Sequence, residues 1–326
     1  MSDSIYARQT QQAHLPLIDL AGLLSDDPAQ RLAVARAIGQ ACRDTGFFYI
    51  YNHGIDPALQ DEVFAQSKQL FDQPMAAKQA LNKAASPANR GYEPLRGQRL
   101  EAGAPADLKE GFYIGVELPK TDPRVVAGRF NHGPNQWPAS LPNFRPVMER
   151  YRDAMEVLAG RLMRAIALSL DLPEPYFGDF CTNSMSTLRL LHYPPQPADA
   201  QAGEKGCGAH TDFGGLTLLL QDDNPGLQVW DQRSQDWIQA NPLPGTYVVN
   251  LGDMIARWTN ERYRSTLHRV VNLSGKERYS VPFFFSGNPD HVVACLPTCL
   301  EPGQTPRHPA VSVEEHHRVM YRRTYG

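Results

Sequence analysis

Three residues with metal-binding side chains stand at a spacing that predicts a common site. The segment GAHTDFG at 208–214 places His210 and Asp212 two positions apart, and side chains at alternate positions of an extended strand leave the same face. A second histidine, His268, follows in the β-rich segment STLHRVV. Two imidazoles and one carboxylate form the facial set that binds iron(II) and leaves positions open for other ligands. Zinc or manganese fits the same ligands, because raw affinity does not select iron.

An arginine and a serine repeat this alternation after His268. Arg278 and Ser280 open the run RYSVPFFF, so both side chains are expected to share one face of a strand and to point into the same interior. A guanidinium binds a carboxylate through two parallel hydrogen bonds, and a hydroxyl adds another. Because a buried arginine is costly without a partner, this pair requires an acidic residue or an anionic ligand.

Short β-rich runs surround these residues. They are predicted at 187–193, 216–221, 227–230, 237–240, 246–251, 267–272 and 279–285. Turn signals separate them, such as DNPG at 223–226 and PG at 244–245. Many short strands that are separated by turns at regular intervals predict an antiparallel sandwich or jelly roll.

Helices are predicted on both sides of this β-rich region. Asp27-Pro28 and Asp56-Pro57 each supply an N-cap and a first-turn proline, and the aromatic run FFYIY at 47–51 between these two helices predicts a buried strand. Another short strand is predicted at 15–20, and an apolar stripe at helical spacing predicts a long helix from about 148 to 170. The tail is predicted to be helical, with His316 and His317 exposed to solvent.

In combination, the motifs H-x-D, a distal histidine and R-x-S resemble the isopenicillin N synthase-like family of 2-oxoglutarate/Fe(II)-dependent dioxygenases, and we expect a bacterial member. The resemblance extends to GFFYIYNHG at 46–54, LRLLHYPP at 188–195, NLGD at 250–253 and WTNERYRS at 258–265. It covers the chain from about residue 15 to about residue 289.

This resemblance implies a fold that is mostly β with flanking α, a distorted double-stranded β-helix (jelly roll). It implies iron(II) ligands at His210, Asp212 and His268, and 2-oxoglutarate and dioxygen as co-substrates. The site residues that match those holding 2-oxoglutarate in the family are Arg278, Ser280 and Tyr193. His192 stands where many plant members carry a tyrosine, so its contact is open.

Four regions are expected along the chain: a mixed α/β N-terminal dioxygenase region at 1–130, a linking segment and long support helix at 131–182, the jelly-roll catalytic core at 183–290 and a helical C-terminal tail at 291–326. In related enzymes, segments matching 90–92 and 107–112 border the substrate opening, so these residues are expected either to contact the substrate or to have a structural role. Phe283 and Phe285 are expected either to line the pocket or to pack in the core.

The implied reaction couples oxidative decarboxylation of 2-oxoglutarate to hydroxylation, desaturation or cyclisation of a small molecule. An oxidase like isopenicillin N synthase, which uses no 2-oxoglutarate, shares the motif. An ethylene-forming enzyme is a second alternative, because NHGPNQWP at 131–138 faintly resembles that group. A non-catalytic ligand-binding barrel is the third, and the combination of a metal triad with an anion clamp argues against it.

Composition limits the classes of partner. The 326 residues are 42% hydrophobic and 21% charged, with a formal net charge of −3, so no broad basic surface indicates nucleic acid or an anionic membrane. No apolar run approaches the ~20 residues of a membrane span, and the polar start does not resemble a signal peptide. Five scattered cysteines fit a reducing compartment. We therefore expect a monomeric, cytoplasmic enzyme with a small-molecule substrate.

Overall fold

The computed structural model describes residues 15–197, 200–201 and 203–325. The strands are β1 (Leu17–Asp19), β2 (Phe47–Tyr51), β3 (Gly91–Glu93), β4 (Glu110–Gly115), β5 (Thr187–Tyr193), β6 (Cys207–His210), β7 (Leu216–Gln221), β8 (Leu227–Asp231), β9 (Asp236–Gln239), β10 (Tyr247–Leu251), β11 (His268–Val270), β12 (Arg278–Phe285), β13 (Val292–Val293) and β14 (Val311–Ser312). The α-helices are α1 (Pro28–Asp44), α2 (Pro57–Phe71), α3 (Met75–Gln79), α4 (Pro123–Val126), α5 (Phe144–Ser169), α6 (Gly178–Cys181), α7 (Asp253–Trp258) and α8 (Val313–Tyr325).

Local sequence signals fix where the main helices begin. Asp27 accepts a hydrogen bond from the backbone N–H of Ala29, and Asp56 accepts one from Ala58, each at 2.9 Å. A proline occupies the first turn in both cases, where its missing N–H costs nothing. The predicted starts of α1 and α2 are confirmed, as are the FFYIY strand and the long helix.

A large sheet and a small sheet form the β structure around the site. The large one has the strand order β1-β2-β10-β7-β12-β5-β4-β3, and the small one has the order β6-β11-β8-β9. Neighbouring strands are antiparallel except for the parallel pair β1–β2. This is the predicted mostly β architecture with flanking helices. A separate pair, β13–β14, lies in the tail.

The two faces of the large sheet have different neighbours. On one face, side chains from β5, β7, β10 and β12 pack against α1, α2 and α5 in the main hydrophobic core. On the other, residues of β2, β5 and β10 form a second apolar cluster with residues of β6, β8, β9 and β11. The small sheet therefore packs against the inner face of the large sheet, and the site residues lie between them.

Strand alternation decides between the two roles expected for Phe283 and Phe285 of β12. Arg278, Ser280 and Phe284 share one face of the strand, and Phe284 lines the cavity described below. Phe283 and Phe285 have the opposite parity and are buried in the main core. These two phenylalanines therefore belong to the core and do not line the pocket.

Only part of the tail is helical among the described residues. The helix α8 occupies 313–325, whereas 292–293 and 311–312 pair as strands. No helix in the described part of the chain combines the length and apolar character that crossing a bilayer requires.

Candidate active site

The structure brings the three predicted metal-binding side chains together. His210 is the last residue of β6 and pairs with His268 at the start of β11. Asp212 lies two residues beyond the end of β6, in the segment that connects β6 to β7, and not in the extended strand predicted from sequence. One ligand atom from each side chain lies within 4.8 Å of the other two. This spacing suits a single ion bound by all three.

Backbone carbonyl groups orient both imidazoles. Nδ1 of His210 lies 2.8 Å from the carbonyl oxygen of Gly208, and Nδ1 of His268 lies 3.1 Å from that of Thr266. Because a carbonyl only accepts hydrogen bonds, each Nδ1 carries the proton and each Nε2 keeps a free lone pair. Burial lowers the pKa of both histidines, that of His268 to about 4. Both are therefore neutral and able to bind a metal at neutral pH.

The two oxygens of Asp212 have different neighbours. Oδ2 accepts hydrogen bonds from Thr217 Oγ1 at 2.6 Å and Asn250 Nδ2 at 2.7 Å. Oδ1 faces the imidazoles, 3.7 Å from His210 Nε2 and 3.8 Å from His268 Nε2. Burial opposes ionisation, but the imidazoles and the two donors outweigh it and hold the pKa of Asp212 below its ordinary value. The carboxylate is thus charged and offers one oxygen to a cation.

Arg278 is a fully buried cation at the far end of β12 from Phe285. Its Nη2 donates to Gln221 Oε1 at 2.9 Å and its Nε to the carbonyl of Asn224 at 3.2 Å, while Nη1 is buried without a hydrogen-bond partner. No carboxylate of the described residues lies within ion-pair distance of it. A buried guanidinium with a free donor and no counter-ion is suited to an anionic ligand.

Ser280 and Tyr193 lie next to this arginine. Tyr193 pairs with Arg278 across β5 and β12, and the guanidinium carbon lies 4.9 Å from the centre of its ring. Ser280 is almost fully buried on the same face. Gln221, the acceptor for Arg278, is four residues from Thr217 on β7, roughly 13 Å at the usual strand rise. The predicted anion clamp and the metal triad are therefore joined by one strand.

A cavity of about 130 Å³ opens beside the triad. His210, Asp212 and Phe213 form one side of it, and His317 and Tyr321 of α8 form part of another. The clamp residues described above do not line this cavity.

The expectation that the tail histidines are exposed is wrong. Nε2 of His316 lies 2.9 Å from the carbonyl oxygen of Phe213, and His317 lines the cavity. Burial lowers the pKa of His317 to about 3. The C-terminal helix therefore contributes a neutral imidazole to the cavity wall.

The other residues named from sequence are divided between the cavity and the protein core. His192 points away from the cavity, where its Nδ1 lies 2.8 Å from Glu110 Oε1 and its ring stacks on Tyr279 at 4.8 Å. Of the segments expected to border the opening, Arg90 lines the cavity, while Phe112 is packed in the main core.

Two matches to known families and the similarity to known proteins agree with this geometry. Residues 15–140 match "non-haem dioxygenase in morphine synthesis N-terminal", and residues 184–287 match "2OG-Fe(II) oxygenase superfamily". A 2-oxoglutarate-Fe(II) type oxidoreductase of Emericella nidulans is 45% identical over 95% of this chain and 90% of its own length. The chain belongs to the 2OG-Fe(II) oxygenase superfamily. It is a 2-oxoglutarate/Fe(II)-dependent dioxygenase that acts on a small molecule.

Two further relatives of this oxygenase are also fungal. A 2-oxoglutarate-dependent dioxygenase of Monascus ruber is 44% identical over 85% of this chain and 86% of its own. A full-length Neurospora crassa protein, crystallised in complex with alpha-KG and thymine, has a TM-score of 0.84 and 30% identity, covering 97% of this chain and 100% of that one. These relatives give no support to the expectation of a bacterial member.

The two residues of this oxygenase that hold Asp212 were not predicted from the sequence. Thr217 and Asn250 lie on β7 and β10, and both donate to the same carboxylate oxygen. Asn250 opens the segment NLGD, which carried part of the family resemblance. The role of Thr217 could not be predicted from the sequence, because a single inward-facing threonine on a strand belongs to no motif.

Proposed function

We propose that this oxygenase is a member of the isopenicillin N synthase-like branch in which His210, Asp212 and His268 hold iron(II). Arg278 and Ser280, with Tyr193, hold the distal carboxylate of 2-oxoglutarate. The observation that carries the second assignment is the buried Nη1 of Arg278, which has neither a hydrogen-bond acceptor nor an ion-pair partner among the described residues. A dicarboxylate would supply the missing counter-charge at one end and bind the metal at the other.

Each of these residues has a separable task. Iron(II) with 2-oxoglutarate and dioxygen supplies the oxidising power for attack on a C–H bond. Asp212 keeps one oxygen toward the metal because Thr217 and Asn250 hold the other. Arg278 would orient 2-oxoglutarate, and His317 and Tyr321 of α8 form part of the cavity wall beside the triad.

The primary substrate is a small molecule, and its oxidation is a hydroxylation, desaturation or cyclisation. The volume of the cavity is close to the ~150 Å³ that accommodates one benzene ring.

We further propose that the protein is a cytoplasmic monomer that binds neither nucleic acid nor membrane, and that its chain has the four regions given in the sequence analysis. Light scattering that gives a mass well above the 36.4 kDa of one chain would overturn the monomer.

The experiment that tests this assignment is an anaerobic titration of the iron(II)-loaded protein with 2-oxoglutarate. Chelation of the metal produces a weak visible charge-transfer band, which is expected in the wild type and absent in Arg278→Ala at the same concentrations. Arg233→Ala is the matched control, because Arg233 is exposed and pairs with Asp44 on the surface. A band of equal strength in Arg278→Ala would refute the role of the arginine.

Admission of air then tests turnover. The wild type should release succinate in amounts that depend on 2-oxoglutarate, and headspace ethylene should be absent. Ethylene as the main product would support the alternative that fragments 2-oxoglutarate.

A further inference from the structure

Arg90 is a second buried arginine that has no acidic partner among the residues with described positions, and it lines the cavity beside the metal triad. Only 2% of its surface is exposed. Nη2 donates to the carbonyl of Asn131 at 2.7 Å, while Nε is buried without a hydrogen-bond partner. In the part of the chain that the structure describes, no carboxylate lies within ion-pair distance of it. Burial lowers the pKa of Arg90 to about 10, so the group stays charged at neutral pH.

The neighbouring acids already have other partners. Glu93 binds Lys83 and Arg189. Glu117, which acts on Arg90 only over a longer distance, accepts hydrogen bonds from Asn135 and Trp137. The charge of Arg90 therefore has no dedicated counter-ion, and an unpaired buried cation is costly.

The strand β4 leaves space for this guanidinium. A Cβ atom at Gly115 would overlap the guanidinium of Arg90, so any other residue at 115 would displace the arginine. Gly115 is itself fixed by Asn135, which accepts from its N–H at 2.8 Å and donates to its carbonyl at 3.0 Å. The contacts with Gly115 and with the carbonyl of Asn131 therefore fix the position of the Arg90 guanidinium at the cavity wall.

We propose that Arg90 binds the carboxylate of the primary substrate, and that this substrate is a small acid built on a single ring. This inference rests on the proposed function, because it places the substrate beside an iron site. A carboxylate would accept the free Nε–H and neutralise the buried charge. The ring would occupy the cavity, whose wall includes Phe284 and Tyr321.

Anaerobic calorimetry tests the proposal on the protein loaded with iron(II) and saturating 2-oxoglutarate. The probes are benzoate and cyclohexanecarboxylate, each compared with its neutral amide. Wild type should bind the acids about tenfold to a hundredfold more tightly than the amides, the usual range for a charged hydrogen bond. Arg90→Gln should lose this preference, and Arg90→Lys should keep part of it because the charge remains. Arg233→Gln, at the exposed surface, is the control.

Gly115→Ala keeps Arg90, but the added methyl group occupies the space of its guanidinium. This variant should weaken binding of the acids, while binding of the amides changes less. This variant tests the proposal even if Arg90→Gln does not fold, which its thermal unfolding would reveal. A wild type that binds neither acid, or binds acid and amide equally, overturns the inference. So does an unchanged preference in both Arg90→Gln and Gly115→Ala.

Two further outcomes separate this inference from the proposed function. Displacement of benzoate by additional 2-oxoglutarate would place the acid at Arg278 and overturn the role of Arg90. Absence of the 2-oxoglutarate charge-transfer band and of succinate in the wild type would instead refute the proposed function, whatever the ring acids do.

Discussion

At the scale of single residues, the orientation of Asp212 depends on two neutral donors from the large sheet. Asn250→Ala removes one of them, and we expect the affinity for iron(II) to fall about tenfold to a hundredfold, as is usual for groups that orient a metal ligand. Anaerobic metal titration measures this change. Asn143→Ala, at an exposed position whose side chain makes no capping hydrogen bond, is the control. Equal affinities for Asn250→Ala and the wild type would contradict the assigned orientation.

Glu93 is expected to couple stability to pH. Burial alone would raise its pKa, but Arg189 and Lys83 outweigh burial and lower the pKa to about 2 from the ordinary 4.5. The folded carboxyl thus holds its proton less tightly than the unfolded one. The contribution of the Glu93 carboxylate to the free energy of unfolding is therefore complete above pH 4.5 and is lost as the pH falls toward 2.

Glu93→Gln removes this titration. The slope of the free energy of unfolding against pH, measured by urea denaturation between about pH 3 and 5, should be smaller than in the wild type by up to ~1.4 kcal/mol per pH unit. Glu149→Gln, in an exposed surface pair with Arg145, should leave the slope close to that of the wild type. A slope that is unchanged in Glu93→Gln would show that the buried cluster does not control acid stability.

Sequence reasoning was strongest for residues whose role follows from local spacing. His210, Asp212 and His268 converge as predicted. The pairing of β6 with β11 sets the direction of the two histidines, whereas Asp212 lies beyond the end of β6 and is held by Thr217 and Asn250. The buried cavity position of Arg90 did not follow from its motif, since a lone arginine before a glycine is equally compatible with the surface.

At the scale of elements, the helix α8 closes one side of the cavity and is held by Arg129. This guanidinium binds Glu314 and Asp290, each at 2.6 Å. The ring of Phe130, the next residue, lies 5.3 Å from that of Tyr321. The loop that carries Arg129 therefore anchors the N-terminal turn of α8.

Arg129→Ala should loosen this helix. We expect amide hydrogen exchange in α8 to become about fivefold faster, corresponding to ~1 kcal/mol for a partly exposed ion-pair network. Exchange followed by mass spectrometry on peptides from 313–324 reports it, with α5 peptides as internal reference. Arg145→Ala breaks a surface pair on α5 and should leave α8 unchanged. Protection of α8 that survives Arg129→Ala would mean that packing alone holds it.

At the scale of the whole molecule, a metal ion would tie the two sheets together. His210 and His268 belong to the small sheet, while the donors to Asp212 come from β7 and β10 of the large sheet. An ion that binds only the folded protein stabilises it by ~2.7 kcal/mol at a hundredfold excess over Kd.

We therefore expect manganese(II), which resists oxidation in air, to raise the thermal midpoint by roughly 4 °C. Excess EDTA should reverse the shift. Asp212→Ala should show no such shift, and a shift of wild-type size in that variant would place the ion outside the triad. Differential scanning fluorimetry suffices for the comparison.

The sequence by itself determined the residue types of the candidate site, the starts of the main helices, most strands and the mostly β fold. These properties depend on residue type and on periods of two or 3.6 residues, which are visible in any short window. It also supported the proposed anion clamp at Arg278, because alternation along β12 is a local property.

Only the tertiary structure decided which groups surround the site. Contacts such as that between His316 and Phe213, 103 residues apart, have no local signature, because long-range packing sets them. The same holds for the donors to Asp212 and for the space that Gly115 leaves for Arg90. Local periodicity gives the direction of a side chain, whereas the groups that it meets are set by how the sheets and helices pack.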